Sequence, residues 1–338
     1  MSEKTADAAV VAVAVPRQQT IQQQTIQRIF YWWDRVGILL ILILLILLMT
    51  VAAPSFASFG NAMNVLRAIS INAILAAGMT LVILTAGIDL SVGSILAVAG
   101  CTGVLLHVAG MPVYVAVIGG VLAGALAGAI NGGFSAWLAM PPFIVTLGAM
   151  TYLRGVAYTS TGGLPVIADD LSYGGLGNAY ISVVPTPVVV MLIVYAVIWF
   201  LLERTTFGRH VYAVGGNPEA ARLAGINVKR VLVWVYTISG ATAGLGGIIF
   251  SARVMSAQPN GGQGYELDAI AAVILGGTAL AGGRGKIIGT LVGALIIGVL
   301  SNGLVLMNVQ YFTQLIVKGV VIILAVALDS VRRLANAS

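Results

Sequence analysis

The sequence predicts an all-α integral membrane protein of about ten transmembrane helices, some of them interrupted, with a short helix on the cytoplasmic face. Three observations carry this. The 338 residues are 59% hydrophobic and only 8% charged, with a mean hydropathy of +1.02, whereas soluble domains carry about a quarter charged residues. Uncharged apolar runs long enough to span a bilayer recur along the chain. The longest polar interruption after the N-terminal tail, residues 203–230, holds Arg204, Arg209, Arg222, Lys229 and Arg230 against only Glu203 and Glu219. Short loops rich in Lys and Arg stay on the cytoplasmic side.

Residues 1–35 read as a cytoplasmic tail, Ala/Val-rich and then Gln/Thr-rich, without a small-residue cleavage site after the first apolar run. Tyr31, Trp32 and Trp33 form an interfacial belt, with Arg28 and Arg35 on its inner side. Residues 36–330 form the transmembrane domain, and 331–338 a second cytoplasmic tail. Spans are expected at 36–53, 65–86, 91–108, 112–138, 142–161, 185–202, 231–251, 267–281, 286–305 and 312–328. Charge tests this order. Six spans return the chain to the cytoplasm at Glu203, where the basic loop lies, and leave 162–184 outside with Asp169 and Asp170 and no Lys or Arg. Four more put Arg284, Lys286, Arg332 and Arg333 inside, and both termini in the cytoplasm. Arg67, near an outer end, is the exception.

A parallel internal repeat is also expected. Residues 82–100 read VILTAGIDLSVGSILAVAG and residues 273–293 read VILGGTALAGGRGKIIGTLVG. Each enters as VIL, meets a Gly-bearing break and resumes as a Gly-spaced apolar run, and both enter from outside.

Inside the basic loop lies a helix with both ends written in. Asn217 can cap it, Pro218 suits its first position, Glu219 sits where the helix dipole favours an anion, and Gly225 can end it in the left-handed conformation. So short a helix is not stable alone in water, so it is built to be held by something else.

Composition excludes several classes. The net charge of +6 follows topology and does not indicate nucleic-acid binding; anionic lipid headgroups are the secondary partner it suits. A single cysteine, Cys101, excludes an internal disulfide and a multi-cysteine metal site, and its apolar surroundings make it a small buried hydrophobe. His107 and His210 are far apart, so no metal site is expected. No phosphate-binding loop is present: Gly285-Lys286 is followed by Ile287, and Leu280 stands where the first Gly is required. Neither HExxH nor GxSxG occurs. The chain is therefore not expected to be an enzyme.

The polar residues that remain are candidates. Asp89, in the break Thr85–Ser94, is costly between apolar runs unless it faces water or a partner. With Ser91 it either caps the next helix, the simpler reading, or lines a transport path. Asn72, Asn131, Asn302 and Gln314 lie in or near spans, where amides usually bond across helices; Asn72, Asn131 and Asn302 join Asp89 and Ser91 as candidates for the pathway or gate. On the outer face, Arg253, Gln258, Glu266 and Asp268, with Asp169 and Asp170, are candidates for contact with a delivered ligand or a docking protein, although Asp268 also suits a helix start.

Residues 78–94 (GMTLVILTAGIDLSVGS), 215–228 (GGNPEAARLAGINV), 256–298 and Ser301-Asn302-Gly303-Leu304 resemble the ribose-type permeases of bacterial ABC sugar importers. The likeness runs from about Gly37 to Arg332. It implies a multi-pass permease of the bacterial inner membrane that carries a monosaccharide, ribose or a similar pentose, by alternating access. Other members carry other sugars, polyols or autoinducer-2. The resemblance implies a cytoplasmic ATPase with two nucleotide-binding halves, which holds ATP and Mg; no cofactor is expected on this chain. It also implies a periplasmic sugar-binding protein and a second permease copy. The 217–225 helix matches the family's coupling helix, so Gly216, Asn217, Glu219, Ala220, Ala221, Arg222 and Gly225 are expected to couple to the ATPase. An ion-coupled secondary transporter and a membrane-embedded enzyme are the rival readings; the first has only Asp89 for an ion site and the second has no reactive constellation.

Overall fold

The computed structural model describes residues 21–337. The tail before residue 21, and the side chains of the aromatic belt and of Arg332 and Arg333, lie outside the described residues. Residues 21–37 supply the first part of helix α1 (Ile21–Ala52) and belong to a unit of their own; all packing below is within the second unit, Ile38–Ser338.

The chain is mostly helical. After α1 come α2 (Phe59–Leu84), α3 (Val92–Val108), α4 (Val113–Trp137) and α5 (Pro142–Ser160). A connector follows with β1 (Val166–Ile167), the one-turn α6 (Gly175–Asn178), β2 (Tyr180–Ile181) and β3 (Val184–Pro185). Then come α7 (Thr186–Arg204), α8 (Thr206–Gly216), α9 (Pro218–Leu223), α10 (Val228–Val254), β4 (Ser256–Ala257), α11 (Tyr265–Leu275), α12 (Ile287–Leu306) and α13 (Tyr311–Ala337). Among the described residues five helices, α2, α4, α7, α10 and α12, are long and apolar enough to cross a membrane. Gly37–Ala52, α3 and Tyr311–Leu324 are shorter apolar helices.

Helix α2 is the buried centre. From Ser70 to Leu84 every residue except Asn72 is buried, as a helix apolar on all faces requires. Helices α10, α11, α12 and α7 surround it. The most extensive helix pair is α4 and α10. Glycines recur every fourth residue on α4, at Gly120, Gly124, Gly128 and Gly132; Gly124 and Gly128 face Gly240 and Gly244 of α10, and Gly132 faces Val233 and Tyr236. A side chain at Gly128 would overlap the Tyr236 carbonyl and sit 3.0 Å from the Gly240 Cα. With no hydrophobic drive between helices in lipid, such close backbone approach is what holds them. Cys101 is 1% exposed, as a small core hydrophobe.

The expected span 267–281 is cut short. Helix α11 has 11 residues, about 16 Å, roughly half the hydrocarbon core. Gly276 caps it and Gly277 (φ +83°) turns the chain away. The two breaks, which the structure bounds at 85–91 and 276–286, meet: Gly283 N donates to Leu84 O at 2.9 Å. Helices α2 and α11 therefore run into one junction and α3 and α12 leave it.

At the far ends of these helices the connectors knit together. Strand β1 pairs antiparallel with β4, and β2 with β3. Arg67, the exception to the charge pattern, donates to Gly177 O at 2.9 Å and Asn178 Oδ1 at 2.6 Å, with its guanidinium over the Tyr180 ring. Arg154 binds the carbonyls of Pro259 (2.8 Å) and Gly261 (2.7 Å). Both arginines satisfy loop carbonyls that would otherwise lack donors.

Candidate functional site

The basic loop folds as two helices, not one. Thr205 starts α8, its hydroxyl accepting from Gly208 N at 3.3 Å, and Val211 and Val214 bury its apolar face. Helix α9 has the ends the sequence wrote. Asn217 Oδ1 accepts from Ala220 N at 3.0 Å, Pro218 is the first residue, and Gly225 is left-handed at φ +85°. Glu219 and Arg222 pair at 2.9 Å on the open surface, an arrangement worth little by itself. Gly216 and Ala220 are exposed. Ala221 is not: it is 4% exposed, packed inside its own chain, so a larger residue there disturbs this chain before any partner. The residue α9 projects is Leu223, 85% exposed, which sequence reasoning missed because a leucine inside a short helix carries no signal of its own.

The last turn of α8 seats directly on both helix breaks. A Cβ on Gly215 would overlap the Leu84 carbonyl oxygen and lie 2.7 Å from Gly283 N. Gly282 (φ +81°) is equally close to the first break, its would-be Cβ 2.8 Å from Ala86 N. Tyr212 OH donates to Gly285 O at 2.9 Å. Burial, with a smaller contribution from Glu203, pushes the Tyr212 phenol up to about 12, so it stays a donor at neutral pH. Three segments thus meet backbone to backbone, at Gly215, Leu84 and Gly283.

Within the first break, three of the five pathway candidates form one buried cluster. Asp89 is 0% exposed. Its Oδ1 accepts from Ser91 N (3.0 Å) and Ser91 Oγ (2.6 Å), and its Oδ2 from Ser239 Oγ (3.2 Å). Asn131 Nδ2 donates to Ser91 Oγ at 2.9 Å. The residue heading α3 is Ser91, which has no side-chain cap bond, so Asp89 does not cap the helix as expected; its carboxylate braces the turn before α3 and, through Ser91 and Ser239, ties that turn to α4 and α10. Ser239 escaped the sequence reading, because nothing in its spacing separates it from other small helix-contact residues.

The other two, Asn72 and Asn302, line a cavity of about 280 Å³ between α2, α11, α12 and α13. Asn72 Nδ2 donates to Asp268 Oδ2 at 3.1 Å, and Lys318 Nζ reaches the same oxygen at 2.9 Å. Asn302 exchanges two amide bonds with Asn61, at 3.0 and 3.1 Å. Asn72 Oδ1 is buried with no partner among the described residues. Asp268, read in the sequence as a docking residue, is drawn inward, its side chain 12% exposed. Lys318 was missed; its only signal was being the one charge within an apolar run, 312–328.

The remaining docking candidates divide. Asp169 and Asp170 are exposed, with Asp170 3.4 Å from His107 Nε2. Arg253, Gln258 and Glu266 are half-buried. Gln258 bonds Ser256 Oγ at 2.9 Å, and Glu266 accepts from Gly264 N at 3.2 Å. Gln314 bonds Val309 O at 2.8 Å. Among the described residues no group of His, Cys, Asp and Glu could hold a metal ion.

Comparison with known proteins gives the family. The family described as branched-chain amino acid transport system / permease component matches residues 61–326. The ribose import permease protein of Bacillus subtilis (strain 168) is 46% identical over 316 residues, covering 92% of this chain and 98% of that protein. The ribose import permease protein of Escherichia coli (strain K12) is 48% identical over 284 residues, 82% of this chain and 88% of that protein. The D-allose transport system permease protein of Escherichia coli (strain K12) is 40% identical over 300 residues, 88% of this chain and 92% of that protein. No solved structure matches. These relatives are named as permeases, transport components rather than enzymes, and the chain belongs to this permease family of ABC sugar importers.

Proposed function

We propose that the chain is the membrane permease of an ATP-driven importer carrying ribose or a similar pentose across the bacterial inner membrane. The identities to two ribose import permeases support the sugar. In this reading the chain crosses the membrane ten times with both termini cytoplasmic, and residues 36–330 are the permease domain. It binds no cofactor; a cytoplasmic ATPase with two nucleotide-binding halves holds ATP and Mg, a periplasmic sugar-binding protein delivers the sugar, and a second copy completes the channel.

The observation that carries the mechanism is the α8 junction. Helix α9 inserts into the ATPase through Gly216, Asn217, Glu219, Ala220, Arg222 and Leu223, with Gly225 setting the exit of the chain. When the ATPase closes, α9 and α8 move together. Gly215 and Tyr212 press that movement onto 85–91 and 276–286. The helices leaving the breaks, α3 and α12, then tilt and switch the side from which the path is open. Asp89, Ser91 and Asn131 act as the fixed end of α3, while Asn72 and Asn302 face the path. The outer connectors with Asp169, Asp170 and Arg253 receive the binding protein. An ion-coupled transporter is disfavoured because Asp89 is buried and already holds three hydrogen bonds.

The test is sugar uptake into proteoliposomes with the binding protein present and the ATPase included or omitted. Uptake should require the ATPase. Leu223→Asp should leave the permease inserted but weaken ATPase retention by about 2 kcal/mol, the worth of burying one leucine. Equal uptake without the ATPase would overturn the reading.

A further inference from the structure

Resting on that reading, we propose that the permease carries its own monosaccharide site, in the cavity where Asp268, Lys318 and Asn72 converge. Charge selects the ligand class. The Asp268–Lys318 pair sums to zero, so an anion meets the carboxylate and a cation meets the ammonium without net gain. An apolar ligand would leave Asn72 Oδ1 unpaired, as it now is. A neutral ring rich in hydroxyls satisfies every group. Its O–H groups donate to Asp268 Oδ1, which takes neither of the two bonds formed on Oδ2, and to Asn72 Oδ1 once that amide oxygen, now shut off from the cavity, turns to face it. Its oxygens accept from the remaining Lys318 N–H groups. Tyr265 is also in the wall. At about 280 Å³ the cavity is at the small end of ligand pockets, which suits one ring and not two. A site of this kind gives the permease a selectivity beyond what a delivering protein supplies.

The experiment uses the permease–ATPase complex in lipid nanodiscs without the binding protein, on a Cys101→Ala background. Ser301 lines the cavity, and its hydroxyl bonds only its own helix at Ile297 O. D-ribose should slow maleimide labelling of Ser301→Cys roughly tenfold at about ten times its dissociation constant. Labelling of Ala220→Cys, on exposed α9, should not change. Adding Asn72→Ala should raise the ribose needed for the same protection roughly tenfold, the effect of one lost hydrogen bond to a buried group. If that variant does not assemble, Asp268→Asn with Lys318→Gln removes both charges together and carries the same expectation. Failure of Ser301→Cys to label, labelling that ribose does not slow, or protection unchanged in the variants would each overturn the site. If wild-type vesicles with ATPase and binding protein still take up ribose, only this inference fails; if they take up none, the reading beneath it fails.

Discussion

Replacing Gly215 by Ala adds one methyl group at the point where three backbone segments touch. The new Cβ overlaps the Leu84 carbonyl oxygen and lies 2.7 Å from Gly283 N. Neither is a side-chain tip that can swing aside, so α8 must back away from the breaks. Overpacking of this kind costs about 1–3 kcal/mol. Retreat also stretches the Tyr212–Gly285 bond of 2.9 Å, and losing a buried hydrogen bond costs about 1 kcal/mol. The sum, roughly 2–4 kcal/mol, is a large share of ordinary stability. The neighbouring Gly216 provides the control. It is exposed, nothing lies within 4 Å of its would-be Cβ, and its φ is not positive, so Gly216→Ala should shift stability by less than about 0.5 kcal/mol. The assay is thermal unfolding of both purified variants, followed by uptake in vesicles with ATPase and binding protein. Gly215→Ala should unfold at lower temperature and retain ATPase through an intact α9, yet turn over ATP without importing sugar. Wild-type stability and uptake in Gly215→Ala would refute the close-packed junction and the transmission assigned to it.

Two further outcomes follow from the same geometry. Asp89→Asn keeps one oxygen for both Ser91 bonds and places an amide toward Ser239, whose hydroxyl can accept, so transport and assembly should stay near wild type. Asp89→Leu strands three buried donors and should cost about 3 kcal/mol or more, seen as loss of folded protein; an inactive but fully folded Asp89→Asn would instead give the charge a role in transport. For topology, Asp170→Cys on a Cys101→Ala background should react with impermeant maleimide from the periplasmic side of intact cells, since 162–184 carries acids and no Lys or Arg; reaction only from the cytoplasmic side would sink the ten-span order.

What the residues determine by themselves here is local or one-dimensional. Membrane character follows from charge and hydropathy, because lipid tolerates little else. Helix α9 follows from Asn217, Pro218 and Gly225, because a cap is a contact between residues three apart. The break at 276–286 follows from its glycines, of which Gly277, Gly282 and Gly283 have positive φ, whereas the left-handed residue of the first break is Ala86 (φ +59°); glycines every fourth residue on α4 permit close approach of a neighbouring helix. Helix α8 was legible only in hindsight, in Thr205 and the apolar pair Val211 and Val214.

Tertiary structure alone decided which distant residues share a site. Leu84, Gly215 and Gly283 meet across more than a hundred residues, and each looks like an ordinary turn or helix residue until the chain is folded. Asp268 suited a helix start on the outer face until Lys318, fifty residues on, turned it inward with Asn72. Asp89 stood open between cap and pathway until Ser239, from another helix, closed its last hydrogen bond. The physical reason is the same in each case. A polar group's cost depends on the partners that desolvate and pair it, and those partners are set by helix packing, which no local spacing encodes.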